Sequence, residues 1–246
     1  MSRRNDHTGA DRNNGMDTAV VTGGSRGIGR AITAQFAERG VHVVTCARDR
    51  DEIEATAAEI EADGGAVTAV RADVRDEFDI ERLMETASRT GADPGIEYVI
   101  ANAGVYHGGP GQTPLAEESY SAFDDTLRTN VRGVFTTVRE AIPHLTTDAR
   151  VFIPSGRIAR EAATGFGSYA VSKAGAEAVA RQFAAESDRC VGVLDLGQVE
   201  TELTEYAAGR TPEDIAPMFW WAATEADEET VDGTVVGLRE WKKQTR

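Results

Sequence analysis

Seven short apolar runs punctuate this chain, separated by longer stretches in which apolar residues recur every three or four positions. The runs Thr18–Thr22, Val41–Cys46, Ala66–Val70, Ile96–Ala101, Arg150–Ile153, Val191–Leu196 and Thr234–Leu238 read as strands. Helical period covers about 27–39, 50–62, 76–90, 118–142, 168–187 and 212–224. Several of the strands are hydrophobic almost without alternation, as strands covered by helices on both faces are. The pattern predicts an α/β fold built on a mainly parallel, doubly wound sheet of about seven strands. No internal repeat or low-complexity linker breaks the series. Residues 16–246 are expected to form one domain behind a polar, flexible tail at 1–15.

Composition narrows the function classes. A chain of 246 residues with 41% hydrophobic content can bury one sizeable core. Its 41 acidic against 26 basic residues leave a net charge of -15, which would repel a phosphate backbone, so no nucleic-acid partner is expected. The longest apolar runs fall far short of the ~20 residues of a membrane span, and the first fifteen residues lack a signal-peptide core. A cytoplasmic protein with no membrane partner is the expectation. Cys46 and Cys190 give no disulfide framework, His7, His42, His107 and His144 are scattered, and no metal-ligand spacing occurs, so no metal is expected.

The first strand runs straight into Thr22-Gly23-Gly24-Ser25-Arg26-Gly27-Ile28-Gly29, and a helix follows. In the first βα turn of a doubly wound series this is a phosphate-binding turn. Glycines let a pyrophosphate approach the main chain, and the free N–H groups and dipole of the helix favour the anion. No Lys-Ser or Lys-Thr follows the last glycine, which excludes a P-loop. The same residues spell G-x-S-x-G, a hydrolase nucleophile elbow centred on Ser25. Position argues against that alternative, since an elbow needs a sheet and an oxyanion loop already built upstream.

The spacing T-G-x-x-x-G-x-G resembles that of the short-chain dehydrogenase/reductase family, and the later motifs keep its order. Ala72-Asp73-Val74 resembles the family's adenine-contacting segment, and Asn102-Ala103-Gly104 its N-A-G motif. The resemblance runs from residue 17 onward and implies a single Rossmann-type domain whose dinucleotide lies along Thr22, Gly23, Ser25, Arg26, Gly27, Ile28 and Gly29, then Asp73, Val74, Asn102, Ala103 and Gly104. Val199 and Thr201 match positions that contact the nicotinamide amide and the phosphates. An acid closing the second strand would hold the ribose hydroxyls of NAD and repel a 2'-phosphate. Here Ala47 is followed by Arg48, and Arg26 lies in the glycine turn, so two guanidinium groups point to NADP(H).

Tyr169-Ala170-Val171-Ser172-Lys173 places a phenol and an ammonium four residues apart on one face of a helix. A nearby positive charge lowers a tyrosine pKa from about 10 toward neutrality, which makes it a usable acid/base. By resemblance, Tyr169 exchanges a proton with the substrate oxygen, Lys173 tunes the phenol and binds the nicotinamide ribose, and Asn130 links the lysine to solvent through water. The family's oxygen-holding serine lies thirteen residues before the tyrosine, where this chain has Gly156; Ser155 is expected to take the role after a one-residue shift. Pro154 removes a strand N–H and is expected to re-route the loop. The usual Pro-Gly after the sixth strand reads Leu196-Gly197, and the 202–211 stretch makes a short lid. The resemblance thus implies hydride transfer between NADPH and a carbonyl or secondary alcohol, with a 3-oxoacyl thioester or another ketone as substrate. It further implies a homodimer or homotetramer formed through the helices near 118–142 and 168–187. A catalytically silent dinucleotide-binding sensor remains the alternative, and a hydrolase using Ser25 a further one.

Only Lys173, Lys242 and Lys243 are lysines, and the acid excess is spread along the whole chain. That distribution suggests a salt-adapted, halophilic cytoplasm. Activity maintained or increased in molar salt is the expected outcome of a salt titration; activity lost there contradicts it.

Overall fold

The computed structural model describes residues 16–91 and 94–245; the expected tail at 1–15 lies outside the described residues. Strands β1 (Thr18–Thr22), β2 (His42–Ala47), β3 (Ala66–Arg71), β4 (Ile96–Ile100), β5 (Leu145–Ser155), β6 (Cys190–Asp195) and β7 (Val235–Gly237) form one sheet in the order β3-β2-β1-β4-β5-β6-β7. Every pairing is parallel. The helices are α1 (Gly27–Glu38), α2 (Arg50–Ala62), α3 (Glu77–Ala87), α4 (Tyr120–Leu127), α5 (Gly133–Ala141), α6 (Gly167–Glu186), α7 (Pro212–Thr224), α8 (Glu228–Val231) and α9 (Leu238–Gln244). No helix among the described residues is long and apolar enough to cross a membrane.

Both faces of the sheet are buried, which is why its strands are apolar throughout. Alternate strand residues point to opposite faces. Ala19, Val21, Val43 and Phe152 join Ile32 and Phe36 of α1, Ile60 of α2 and Phe219 of α7 in one core. Val20, Val44, Val151 and Ile153 join Leu83 and Met84 of α3, Val134 and Val138 of α5, and Ala176 of α6 in the other.

Three expected elements differ. The single helix expected over 118–142 is divided by a π turn at Arg128–Arg132 between α4 and α5. The seventh strand is shorter, and Leu238 opens α9 instead. Pro154 does not re-route the chain, because β5 stays paired with β6 through Pro154–Leu194 and Ser155–Asp195. The Phe152 carbonyl faces β4, accepting from the Ala101 N–H, and the Ser155 carbonyl faces β6, accepting from the Leu196 N–H. Strand alternation therefore turns Pro154 toward β4, which has ended at Ile100, so the missing N–H costs no ladder bond.

The connection from β1 leaves toward β2, whereas β4 lies on the other side of β1. This reversal opens a crevice beyond the carboxyl ends of the strands.

Candidate active site

Residues from the carboxyl ends of β1 to β6 line a cleft of about 1250 Å³, larger than the ~300–1,000 Å³ of ordinary ligand pockets. At its base the turns after β1 and β4 are tied together. The Thr22 hydroxyl accepts from the N–H groups of Asn102 and Ala103, both at 3.1 Å, and Asn102 Nδ2 donates to the carbonyls of Thr22 (2.9 Å) and Gly23 (3.2 Å). Gly23 adopts φ +72°, a left-handed conformation that favours glycine. A Cβ on Gly29 would lie 2.1 Å from the Gly23 carbonyl oxygen and 2.5 Å from Asn102 Nδ2, so the turn closes only around a bare backbone.

That turn leaves donors free for an anion. Asp49, Asp76, Ser119 and Thr211 cap α2, α3, α4 and α7 with their side chains, whereas α1 has no side-chain cap. Its first-turn N–H groups, next to Ile28 and Gly29, face the cleft with the positive end of the helix dipole. Thr201 sits over this turn, its Cγ2 3.4 Å from where a Gly27 Cβ would be, and Val199 is buried beside the same cleft. These features fit a dinucleotide pyrophosphate.

The two arginines are placed differently. Arg48 is exposed at the cleft, and Asp49 is spent on the α2 cap, accepting from the Glu52 N–H at 3.1 Å. Arg26 pairs with Glu202 across the cleft at 2.9 Å, both side chains being more than half exposed. Such a pair contributes only about 0–1 kcal/mol and yields readily to a phosphate. Ser25 donates to the exposed Glu52 at 3.3 Å rather than to an imidazole, so the serine–histidine pair of a hydrolase elbow is not formed there. Asp73 is clasped by Arg75 at 2.7 Å, and Arg75 also reaches Asp125 at 2.5 Å. Partial burial would raise the Asp73 carboxyl, but the hydrogen bonds and charge of Arg75 outweigh it and hold the carboxyl below its usual range. Val74 lines the cleft beside it.

Tyr169 and Lys173 both enter the cleft from the first turns of α6. Lys173 Nζ lies 5.6 Å from the Tyr169 ring centroid and donates to the Pro154 carbonyl at 3.2 Å. Burial lowers the ammonium to about 8, while the Glu177 charge opposes that fall. The expected lowering of the Tyr169 phenol is not found: burial raises it, and the Tyr106 phenol, stacked at 4.6 Å between centroids, raises it further.

Asn130, in the π turn, spends its carboxamide on structure. Its Oδ1 accepts from the Val105 N–H at 2.8 Å, and its Nδ2 donates to the Val105 carbonyl and to Ser172 Oγ, both at 2.9 Å. Asn130 thereby ties the segment after β4, at Val105, to Ser172 of α6, and a Cβ added at Gly104 would lie 3.3 Å from its Oδ1. Ser155, expected to hold the substrate oxygen, instead donates its hydroxyl proton to the buried carboxylate of Glu177 at 2.6 Å. A hydroxyl has one proton to give, so this one has none for a substrate oxygen. Gly156, the next residue, leaves open space: only the Gly197 carbonyl, at 3.9 Å, would meet an added Cβ.

Tyr106, Arg75 and Glu177 were missed by sequence reasoning. Of these, Glu177 carried a signal, lying four residues beyond Lys173 on the stripe that begins at Tyr169.

A family profile described as short chain dehydrogenase matches residues 17–210. This chain belongs to the short-chain dehydrogenase family. Among its relatives is "NADPH-dependent aldehyde reductase 2, chloroplastic" of Arabidopsis thaliana, 30% identical over 89% of this chain and 90% of that protein. Another is the "1-deoxy-11-beta-hydroxypentalenate dehydrogenase" of Streptomyces exfoliatus, 35% identical over 83% of this chain and 78% of that one. The crystallised alcohol dehydrogenase of Thermococcus sibiricus, complexed with 5-hydroxy-NADP, superposes with a TM-score of 0.79 at 26% identity, covering 91% of this chain and 96% of that chain. As a short-chain dehydrogenase, the protein is an oxidoreductase that carries its dinucleotide cleft at the sheet's switch point.

Gly29→Ala, which drives a methyl into the Gly23 carbonyl, is expected to weaken dinucleotide binding at least ~10-fold, read by fluorescence titration. Unchanged affinity contradicts the backbone-cradle account.

Proposed function

We propose that this protein is an NADP(H)-dependent carbonyl reductase in which Tyr169 is the acid, carried by the placement of Tyr169 and Lys173 in the same cleft as the uncapped α1 turn. A nicotinamide bound in this cleft would supply the hydride for the carbonyl carbon. Tyr169 gives its phenolic proton to the carbonyl oxygen, so the product is an alcohol and the phenol is left ionised. The Lys173 ammonium favours that ionised form and holds the nicotinamide ribose; Asn130 supports the proton relay by fixing Ser172 and the Gly104 turn. Arg48 and Arg26 take the 2'-phosphate, Arg26 on release from Glu202. Asp73 and Val74 bound the adenine, and Thr22, Gly23, Ser25, Gly27, Ile28, Gly29, Asn102, Ala103, Val199 and Thr201 complete the cofactor cradle.

Burial keeps the Tyr169 phenol protonated at neutral pH, the form that can donate to a carbonyl oxygen. The reverse reaction needs the phenolate and gains as pH rises. The relatives named above differ in their substrates, so family membership selects none; a ketone or 3-oxoacyl thioester fits the open wall at Gly156. We further propose that residues 16–246 act as one domain in a salt-adapted cytoplasm, without nucleic-acid, membrane or metal partners. The half-exposed Phe135 and Val171 on α5 and α6 support a homodimer or homotetramer, which a monomeric mass by light scattering contradicts.

The test is turnover of a panel of aldehydes and ketones with NADPH. Tyr169→Phe is expected to lower kcat by ~10²–10⁴-fold while NADPH affinity stays within about twofold of wild type. Because Lys173 is lowered to about 8, reduction is expected to fall as pH rises through that value and the ammonium is lost. Tight NADPH binding with no turnover of any carbonyl favours the silent sensor instead.

A further inference from the structure

Behind Lys173 the cleft wall rests on a buried ionic cluster. Glu177 is 2% exposed, and a buried carboxylate persists as an anion only with donors and opposite charge around it. It has both. Ser155 Oγ donates to it at 2.6 Å, and so does the guanidinium of Arg160, whose other arm reaches the Asp195 carboxylate at the end of β6. Arg160 follows the 3-10 turn Arg157–Ala159, of which Arg157 and Ile158 line the cleft. One carboxylate thus joins α6, the end of β5 and the substrate wall.

The consequence for chemistry runs through Pro154. The only hydrogen bond that the Lys173 side chain makes among the described residues is to the Pro154 carbonyl, one residue before Ser155. Fixing Ser155 therefore fixes the acceptor that aims the ammonium. Glu177 also lies four residues beyond Lys173 on the same helix face, so its charge bears on the ammonium directly.

We propose that Glu177 is a positioning residue for the reaction: it anchors Ser155 and Arg160, and through them sets the place and the charge of Lys173. This rests on the carbonyl-reductase reading above. It also gives Ser155 a supporting role beneath the site in place of the oxygen-holding one.

Other charged groups near α6 are engaged elsewhere. Glu118 accepts from the N–H and hydroxyl of Ser168 at the helix start, and Tyr106 is stacked on Tyr169. On α4 and the π turn, Asp125 pairs with Arg75 and His107, and Arg132 with Glu77; on α5, Arg139 pairs with Glu140. Arg150 of β5 donates to the carbonyls of Ala222 and Ala226. Asp195 reaches Glu177 only through Arg160.

The test compares pH profiles of kcat, KM and NADPH affinity for wild type, Glu177→Gln, Glu177→Asp and Ser155→Ala. Burial already lowers Lys173, and Glu177 opposes that, so removing the charge lowers the ammonium further. Glu177→Gln is expected to move the alkaline limb of kcat to lower pH by ~0.5–1 unit and cut kcat at pH 8 by ~10-fold, with NADPH affinity unchanged. Glu177→Asp keeps the charge and should restore the wild-type limb. Ser155→Ala should shift the limb the same way by less; if Glu177→Gln does not fold, this variant decides. A limb that stays in place in folded, NADPH-binding variants overturns the proposal. So does a ~100-fold loss of kcat in Ser155→Ala without any shift, which would return Ser155 to the substrate oxygen. Absence of carbonyl turnover in wild type would instead overturn the reductase reading itself.

Discussion

The architecture depends on one constraint: between β1 and β4 the direction of the sheet's connections reverses, and the two turns that leave there must share the space beyond the strand ends. Thr22 and Asn102 meet this constraint with four hydrogen bonds, two accepted by the hydroxyl and two donated by the carboxamide. The clamp leaves no room for a side chain at Gly29, and it sets α1 with its uncapped N-terminus facing the cleft. The anion site is therefore a by-product of how the sheet is closed. It needs no charged side chain of its own, which suits a chain carrying a net charge of -15.

Across the cleft, α6 works against a different physical problem. It carries a phenol, an ammonium and a carboxylate at successive turns, the first two half-buried at the cleft and the carboxylate buried behind them. Burial alone raises Tyr169 and lowers Lys173, so both drift toward their neutral forms. Neutral is the useful state for an acid and the wrong one for the ammonium that supports it. The Glu177 charge acts on Lys173 in the opposite sense to burial, and the Ser155 hydroxyl and the Arg160 guanidinium supply that buried carboxylate with donors.

The legible parts of the molecule were those set by local chemistry. The glycine turn could be read because backbone conformation and close approach leave their mark on residue type, and the strands because burial on two faces removes alternation. Tyr169 and Lys173 were readable as a pair by their helical spacing. The π turn was not, because Arg128–Arg132 keeps enough apolar periodicity to look like continuous helix. The strand N–H lost at Pro154 looked disruptive in sequence and proved harmless because β4 stops at Ile100, a fact of register between distant segments. Ser155 was misplaced for a similar reason: its partner Glu177 lies 22 residues on, and the need of that carboxylate for donors emerges only once α6 packs on β5. The pairing of Arg26 with Glu202 likewise joins two loops far apart in the chain.

The central claim is that this cleft holds a dinucleotide pyrophosphate on backbone donors and selects the 2'-phosphorylated form through the exposed Arg48. The most direct test is a fluorescence titration of NADPH and NADH against wild type and Arg48→Ala, using the chain's own tryptophans Trp220, Trp221 and Trp241. The account predicts tighter binding of NADPH by wild type, weakened ~10-fold or more toward the NADH value in the variant. Equal affinity for the two nucleotides, or an unaltered NADPH affinity in Arg48→Ala, would contradict it.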